Sequence, residues 1–265
     1  MKILFPLNTS QRYYKIHYQY VLDLFRFEDA DITFEKLDSD NETSFYFYID
    51  NKKVIMDFSD SGESVTLSTC PCFKFHFKHH HLYQKNCYPF APVSFYLDDW
   101  QNVNDENYNY QCNSDIILCN QRPYGNATQR RKMVHEMLRN KYGDNVDTSL
   151  TDQRTFWNKI NNCLCAVCVP GFCNNMIDRG FLQYLRFGCC CISPKLPEIF
   201  PAVGQLIPGL HYIQCADDYS DLFYAIEFVK SNRDRTRFIG RHAKEFTETI
   251  IHPKYLVEWI GKILK

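Results

Sequence analysis

The chain has 265 residues, 45% of them hydrophobic and 16% aromatic, with 30 Lys and Arg against 31 Asp and Glu. That is enough for one large domain or two of about 130 residues with full cores, and the formal net charge of -1 sets aside a global field for nucleic acid or an anionic membrane. No apolar run reaches the ~18 residues of a membrane-spanning helix, and the short apolar start MKILFPLNTS reads as a buried strand and not as a signal peptide, which sets the expectation of a cytoplasmic protein.

In chain order, Lys2 to Leu7 predicts a strand, and Asn8, Thr9 and Ser10 offer caps for an amphipathic helix over Gln11 to Phe27. That helix carries Tyr13, Tyr14, His17, Tyr18 and Tyr20. Such rings either pack a core face with their polar tips at the rim or stack on a sugar. Ile32 to Leu37 predicts a strand, Asp38 to Thr43 a polar turn, and Ser44 to Ile49 and Lys53 to Phe58 two strands joined at Asn51-Lys52. The second ends in Asp57-Phe58-Ser59-Asp60. An acid at the carboxyl end of a strand either stabilises the turn that follows or faces the mouth of the sheet as a base.

Ser64 to Ser68 reads as a strand before Cys70-Pro71-Cys72. Phe73 to Lys78 alternates, with Phe73, Phe75 and Phe77 on one face and Lys74, His76 and Lys78 on the other. That pattern predicts a half-buried strand with a basic face. His79-His80-His81 reads as a solvated run, because three adjacent histidines do not readily reach one ion. Tyr88 to Pro92 is a stiff connection, Val93 to Leu97 a short strand, and the acidic, Asn-rich stretch Asp98 to Gln111 an interdomain linker.

Asp115 to Asn120 opens the second half as a strand. A loop with Arg122, Gly125, Asn126 and Thr128 leads to a helix over Gln129 to Tyr142, capped by Asn126 or Thr128. Arg122, Arg130 and Arg131 cluster at its start, where cations oppose the helix dipole and call for an anion or for acidic surface partners. A short strand in Asp144 to Leu150 and a short helix over Thr155 to Asn161 follow. Cys163 to Val169 and Cys189 to Ile192 are apolar runs suited to buried parallel strands. Between them, Pro170-Gly171 and Asn174-Asn175 make a loop, Asp178 an N-cap, and Arg179 to Phe187 a helix stopped by Gly188. A strand–loop–helix–strand unit of this kind places loop amides and a helix N-terminus at the carboxyl edge of a sheet, where anions bind. Leu210 to Cys215 predicts a strand, and Asp221 to Lys230, Arg233 to Thr247 and Lys254 to Leu264 predict helices.

The 13 cysteines are odd in number and lie mostly in apparent strands, which suits reduced, buried thiols. Zinc held by Cys163, Cys165, Cys168 and Cys173, or by Cys70, Cys72 and Cys87, is the alternative. A structural site needs well-spaced knuckles, and Cys165 and Cys168 within a strand would face opposite ways.

Cys165 to Gly171 followed by Asp178-Arg179, and then Tyr184 to Pro194, resembles the C-terminal signature of exostosin-like glycosyltransferases, a strand and loop, an Arg-bearing helix and a Gly-Cys strand. His211 to Phe246 is similar to the end of the CAP10-like and group-1 transferases. The resemblance covers about 140 residues from Ile116 onward. It also extends to small xylosyltransferase-type enzymes of large DNA viruses of algae. One position departs: Gln183 stands where group-1 transferases often carry a glutamate for the donor ribose, and a neutral amide is a weaker partner for a hydroxyl.

What the resemblance implies is an α/β protein of GT-B-like type, two Rossmann-like domains with a cleft between them. Residues 1–108 form the acceptor side, 109–253 bind the nucleotide sugar, and the final helix, 254–265, is able to return to the first domain. It implies transfer of a xylose- or glucose-type sugar from a UDP-sugar to a glycan acceptor with inversion. Arg122, Gly125, Arg130, Arg131, Gly171, Asp178, Arg179 and Gln183 would hold the donor, His17, His76 and Lys78 would meet the acceptor, and Asp57 or Asp60 would be the base. No cofactor or metal is expected, since no Asp-x-Asp motif occurs and Asp217-Asp218 is contiguous. Arginines and helix dipoles would instead stabilise the leaving group. A retaining group-1-type transferase, and a nucleotide- or glycan-binding module without turnover, are the alternatives.

Overall fold

In the computed structural model, residues 1–7, 12–37, 43–59, 69–91, 110–171, 177, 179–196, 199–202 and 204–265 are described, the side chains of 12–16, 79 and 179 excepted. They form a mixed α/β protein with parallel-rich sheets and seven α-helices among the described residues. The chain divides into two units, Met1–Gln101 with Glu198–Gly204 and Thr249–Lys265, and Asn102–Pro197 with Gln205–Glu248.

The first unit opens with β1 (Lys2–Pro6), α1 (Arg12–Phe27), β2 (Asp31–Glu35), β3 (Ser44–Ile49), β4 (Lys52–Asp57), β5 (Cys72–Lys74) and β6 (Cys87–Pro89). Its sheet has the order β2-β1-β3-β4-β5-β6. Only β3 runs against its neighbours, so β1, β2, β4, β5 and β6 share one carboxyl edge. The tight β3–β4 turn holds Asp50 and Asn51 at positive φ, a conformation that Asx residues tolerate. The two-residue alternation of SFYFYI sends Phe45, Phe47 and Ile49 into the core. There Phe5, Phe45 and Phe47 meet Tyr18 and Phe25 of α1 with ring centroids 4.9 to 6.1 Å apart. Each such buried ring contributes on the order of 1.5–3 kcal/mol.

Three expectations are corrected here. Phe73 to Lys78 is not a half-buried strand: β5 ends at Lys74 and is covered on both faces, so Lys74, His76 and Lys78 are buried together with the phenylalanines. Tyr88-Pro89 is not a mere connection but part of β6, at the sheet edge, where proline's missing N–H costs no ladder bond. His79-His80-His81 is not wholly solvated: it opens a 3-10 turn, and His81 is fully buried. The strand read at 64–68, the one at 93–97 and most of the linker lie outside the described residues.

The second unit runs β7 (Ile117–Leu118), α2 (Thr128–Tyr142), β8 (Val146–Asp147), α3 (Gln153–Asn162), β9 (Cys165–Val167), α4 (Arg179–Arg186) and β10 (Cys191–Ser193). After the two-residue strands β11 (Ile199–Phe200), which belongs to the first unit, and β12 (Gly204–Gln205), at the boundary, come β13 (Ile213–Gln214), α5 (Leu222–Ser231) and α6 (Arg233–Ile251). Five strands form an all-parallel sheet of order β13-β10-β9-β7-β8, so the direction of winding reverses between β7 and β9. Helices cover both faces. Phe156 and Trp157 of α3 touch Tyr184 and Phe187 at α4, while Tyr142 of α2 meets Phe223 and Glu227 of α5. A sheet covered twice needs apolar strands throughout, and Cys163 to Val169 and Cys189 to Ile192 are buried without a break. Burial holds the thiols of Cys163, Cys165 and Cys189 far above their ordinary range, and no disulfide joins the cysteines among the described residues.

The cap expected for α2 is absent. Neither Asn126 nor Thr128 caps it through a side chain; a 3-10 turn, Gly125–Ala127, feeds the helix, and the Thr128 hydroxyl donates back to Gly125 O at 2.8 Å. For α3, Asp152 is a true cap, accepting from Thr155 N at 3.0 Å and from its hydroxyl at 2.6 Å.

The end of α4 is built around Gly188 at φ 75°. Cys189 N bonds Tyr184 O and Gly188 N bonds Leu185 O, both at 2.9 Å, the paired bonds of a Schellman turn. Gly240 in α6 packs directly on this turn, and a β-carbon there would fall 1.8 Å from Gly188 O. The final helix, α7 (Pro253–Leu264), belongs to the first unit, where its Trp259 Nε1 donates to Pro89 O at 3.0 Å.

Gly240→Ala is therefore expected to destabilise the protein by about 1–3 kcal/mol despite alanine's higher helix propensity. Gly261→Ala in α7, with nothing near its would-be β-carbon, should instead gain up to about 1 kcal/mol. Urea denaturation of the two variants checks the opposite signs.

Candidate functional site

In a sheet wound both ways, the loops after the two strands flanking the reversal part to opposite faces and leave a crevice at the carboxyl edge. Here those loops are Cys119 to Ala127, after β7, and Cys168 to Gly171, after β9. They are tied together across the gap. Gln121 Oε1 accepts from Val169 N. Arg131, only 2% exposed, donates from Nε to Val169 O at 3.0 Å and from Nη1 to Arg122 O at 2.7 Å. Arg130 Nη2 reaches Pro170 O at 3.4 Å, Tyr219 donates to Cys168 O at 3.2 Å, and Tyr184 bonds the Asn120 side chain.

A cavity of about 420 Å³ opens at this point. Asn120, Gln121, Arg122, Tyr124 and Arg131 line it from the β7 side. Gly180, Gln183 and Tyr184 of α4, with Thr151, Gln153 and Phe156 at the start of α3, close it. Two guanidinium groups and a helix's first turn meet there, and none of the described lining side chains is acidic, which favours an anionic ligand. The Tyr124 ring, 65% exposed, lies beneath the Arg131 guanidinium at 5.6 Å.

Of the expected donor contacts, the structure thus brings Arg122, Arg131 and Gln183 around one cavity. Arg131 serves the backbone, and Arg122, with an exposed side chain, is the cation better placed to meet a ligand. Arg130 and Gly125 do not line the cavity. Gly125 sits at φ 55°, so its lack of a side chain serves the turn. Gly171 backs Arg131, with room for a β-carbon 3.8 Å from Nη2. Asp178 and the Arg179 side chain lie outside the described residues. Tyr124, Thr151 and Gln153 were not legible as site residues: nothing local marks them, and only the fold brings the β8–α3 turn beside the β7 loop.

In the first unit, register places Asp57 directly opposite Lys74. Lys74, fully buried, puts Nζ 3.3 Å from Asp57 Oδ2 and 2.8 Å from Ser59 Oγ. Asp57 Oδ1 accepts from Ser59 N at 2.8 Å and from its hydroxyl at 2.6 Å. His17 of α1 stacks on Phe58 at 4.4 Å and meets the edge of Phe75 at 5.1 Å. Burial, reinforced by the charge of His76, lowers the His17 pKa to about 4. Beyond β5, His81 Nδ1 accepts from Lys78 N at 2.8 Å. Burial and then the charges of His80, Lys74 and Lys78 lower its pKa to about 4 as well, against a smaller upward pull from Asp57. The structure therefore gathers Asp57, His17, His76 and Lys78 along one sheet edge and adds Lys74, which strand alternation had placed on the exposed face, and His81, which had read as part of a solvated run. Asp60 lies outside the described residues.

No protein-family model matches this chain, and no curated protein matches it either.

The two arginines should separate by phenotype. Arg131→Met leaves the buried Val169 carbonyl and the part-buried Arg122 carbonyl without their donors and should cost about 2–4 kcal/mol of stability. Arg122→Ala, at an exposed side chain, should stay within about 0.5 kcal/mol of the parent in the same denaturation experiment.

Both low-pKa imidazoles are neutral in the fold and take up protons on unfolding near pH 6.5. Their contribution is complete above that value and declines as pH falls from 6.5 toward 4, at up to about 1.4 kcal/mol per pH unit for each group. Thermal midpoints across this window should drop, and His17→Phe should flatten the decline.

Proposed function

We propose that the chain is a glycosyltransferase that moves a xylose- or glucose-type sugar from a UDP-sugar to a glycan acceptor, with inversion and without a metal. The observation that supports it best is the cavity at the winding reversal, lined by Arg122, Arg131 and Gln183 beside the start of α4, with no acid among its described lining residues. A nucleoside diphosphate suits such a place: its phosphates meet guanidinium and helix dipole, and hydroxyls meet the neutral Gln183 and Asn120 side chains. The expected GT-B-like arrangement, with donor and acceptor held by different Rossmann-like units, is part of this reading.

In the reaction, the acceptor oxygen attacks the anomeric carbon as the bond from that carbon to the diphosphate oxygen breaks. The hydroxyl proton passes to a carboxylate, Asp57 or Asp60, and the nucleoside diphosphate leaves with its charge offset by Arg122. Asp57 enters this role with one oxygen held by Ser59 and the other only loosely by Lys74, at 3.3 Å. The same grip favours a second reading, a nucleotide-binding module without turnover, in which Asp57 is a structural ion pair.

Thermal stabilisation by UDP-, GDP- and CMP-sugars without added metal tests the donor site. One UDP-sugar should raise the midpoint by mass action, and Arg122→Ala should weaken that binding at least about tenfold. Transfer should then fall by about 10²–10⁴ in Asp57→Asn or Asp60→Asn with donor binding kept. No shift with any nucleotide would sink the transferase reading, whereas binding with neither transfer nor hydrolysis would favour the module.

A further inference from the structure

Among the described residues, the carboxyl edge of the first sheet carries a positive charge that no acid pairs. Asp57 is matched by Lys74. Lys78, four residues on and only 9% exposed, has no ion pair and no side-chain hydrogen bond among the described residues. Its stem is buried while the ammonium keeps access to solvent, so the charge is held in one place and is open to an anionic ligand.

A second group points to the same place. His81 is fully buried. Its Nδ1 accepts the Lys78 backbone N–H, so the proton of the neutral ring sits on Nε2, and that buried atom has no partner. A donor without an acceptor thus lies near Lys74 and Lys78, close enough for both charges to act on its ring. Phe77, with ring centroids at 5.3 Å, and His80, at 4.0 Å, pack against the imidazole. Among the described residues, two ammonium groups, one unsatisfied imidazole N–H and a single carboxylate make a set that lacks one negative group.

We propose that Lys78 and His81, with Lys74 behind them, form a binding site for an oxyanion, a carboxylate or a phosphate carried by the molecule that the first unit binds. If the transferase reading holds, that molecule is the acceptor, and the acceptor is an acidic glycan; the oxyanion site itself does not rest on that reading. The oxyanion accepts from Lys78 Nζ and His81 Nε2 and supplies the charge that Lys78 lacks.

The test is a titration of the full chain, without nucleotide, with inorganic phosphate and separately with glucuronate, using glucose as the neutral control. Histidine side-chain resonances and the thermal midpoint are the readouts. One of the two anions should shift the His81 ring signals, raise its pKa and stabilise the fold, while glucose does neither. A response to phosphate alone assigns a phosphorylated ligand; a response to glucuronate alone assigns a uronic acid. Lys78→Met should weaken the effect at least tenfold, Lys78→Arg should largely retain it, and the exposed Lys85→Met should leave it intact. The proposal falls if neither anion moves the His81 signals, a result that needs no variant to fold, or if Lys78→Met binds as the parent does. Because nucleotide binding is read separately, loss of the oxyanion site and loss of the donor site are distinguishable.

Discussion

The second unit depends on a brace between its β7 and β9 loops. At the point where winding reverses, no ladder bond spans the crevice that opens, and the backbone groups of both loops need partners. Gln121 and Arg131 supply them, one accepting from Val169 N and the other donating to Val169 O and Arg122 O. A guanidinium suits this use because its donors sit in a fixed planar fork and it stays charged when buried. The cavity is then a consequence. Its β7-side wall is the outer face of a brace that the fold needs anyway, and its positive potential is partly the brace's own charge.

This separates two roles that sequence had merged. Arg122, Arg130 and Arg131 stand together at the start of α2, and the expectation treated all three as contacts for one anion. The fold distributes them. Arg131 turns inward to carbonyls, Arg130 reaches Pro170 O, and Arg122 stays at the rim. Arg130 and Arg131 are consecutive residues of α2 and point about 100° apart, so only one of them lines the cavity that Arg122 meets from the preceding loop.

Legibility followed the strength of the local signal. The aromatic alternation of Ser44 to Ile49 and the uninterrupted apolar runs around Cys165 and Cys191 were readable, because side-chain period and burial on both faces are properties of a single strand. Phe73 to Lys78 misled for a physical reason. Its alternation of phenylalanine with basic residues matches a half-exposed strand, yet the sheet covers both faces and Asp57, seventeen residues earlier, neutralises Lys74. Nothing within a strand's own sequence reports a counter-charge on its neighbour. The cap of α2 failed similarly: Asn126 and Thr128 have the right chemistry, but Gly125 at φ 55° turns the chain so that Thr128 bonds backward.

Gln183 shows how the cavity's electrostatics and its hydrogen bonding compete. It is 5% exposed and lines the cavity together with Arg131. A carboxylate at that position would bond a ligand hydroxyl more strongly. It would also be a buried charge beside a buried guanidinium, and the two would cancel much of the field that attracts an anion. An amide keeps a hydrogen-bonding group at the wall without adding a negative charge beside Arg122, Arg131 and the start of α4. The neutral residue therefore shifts recognition away from the hydroxyl and toward the anionic part of the ligand, in a cavity where the bracing arginine has already fixed the sign of the charge.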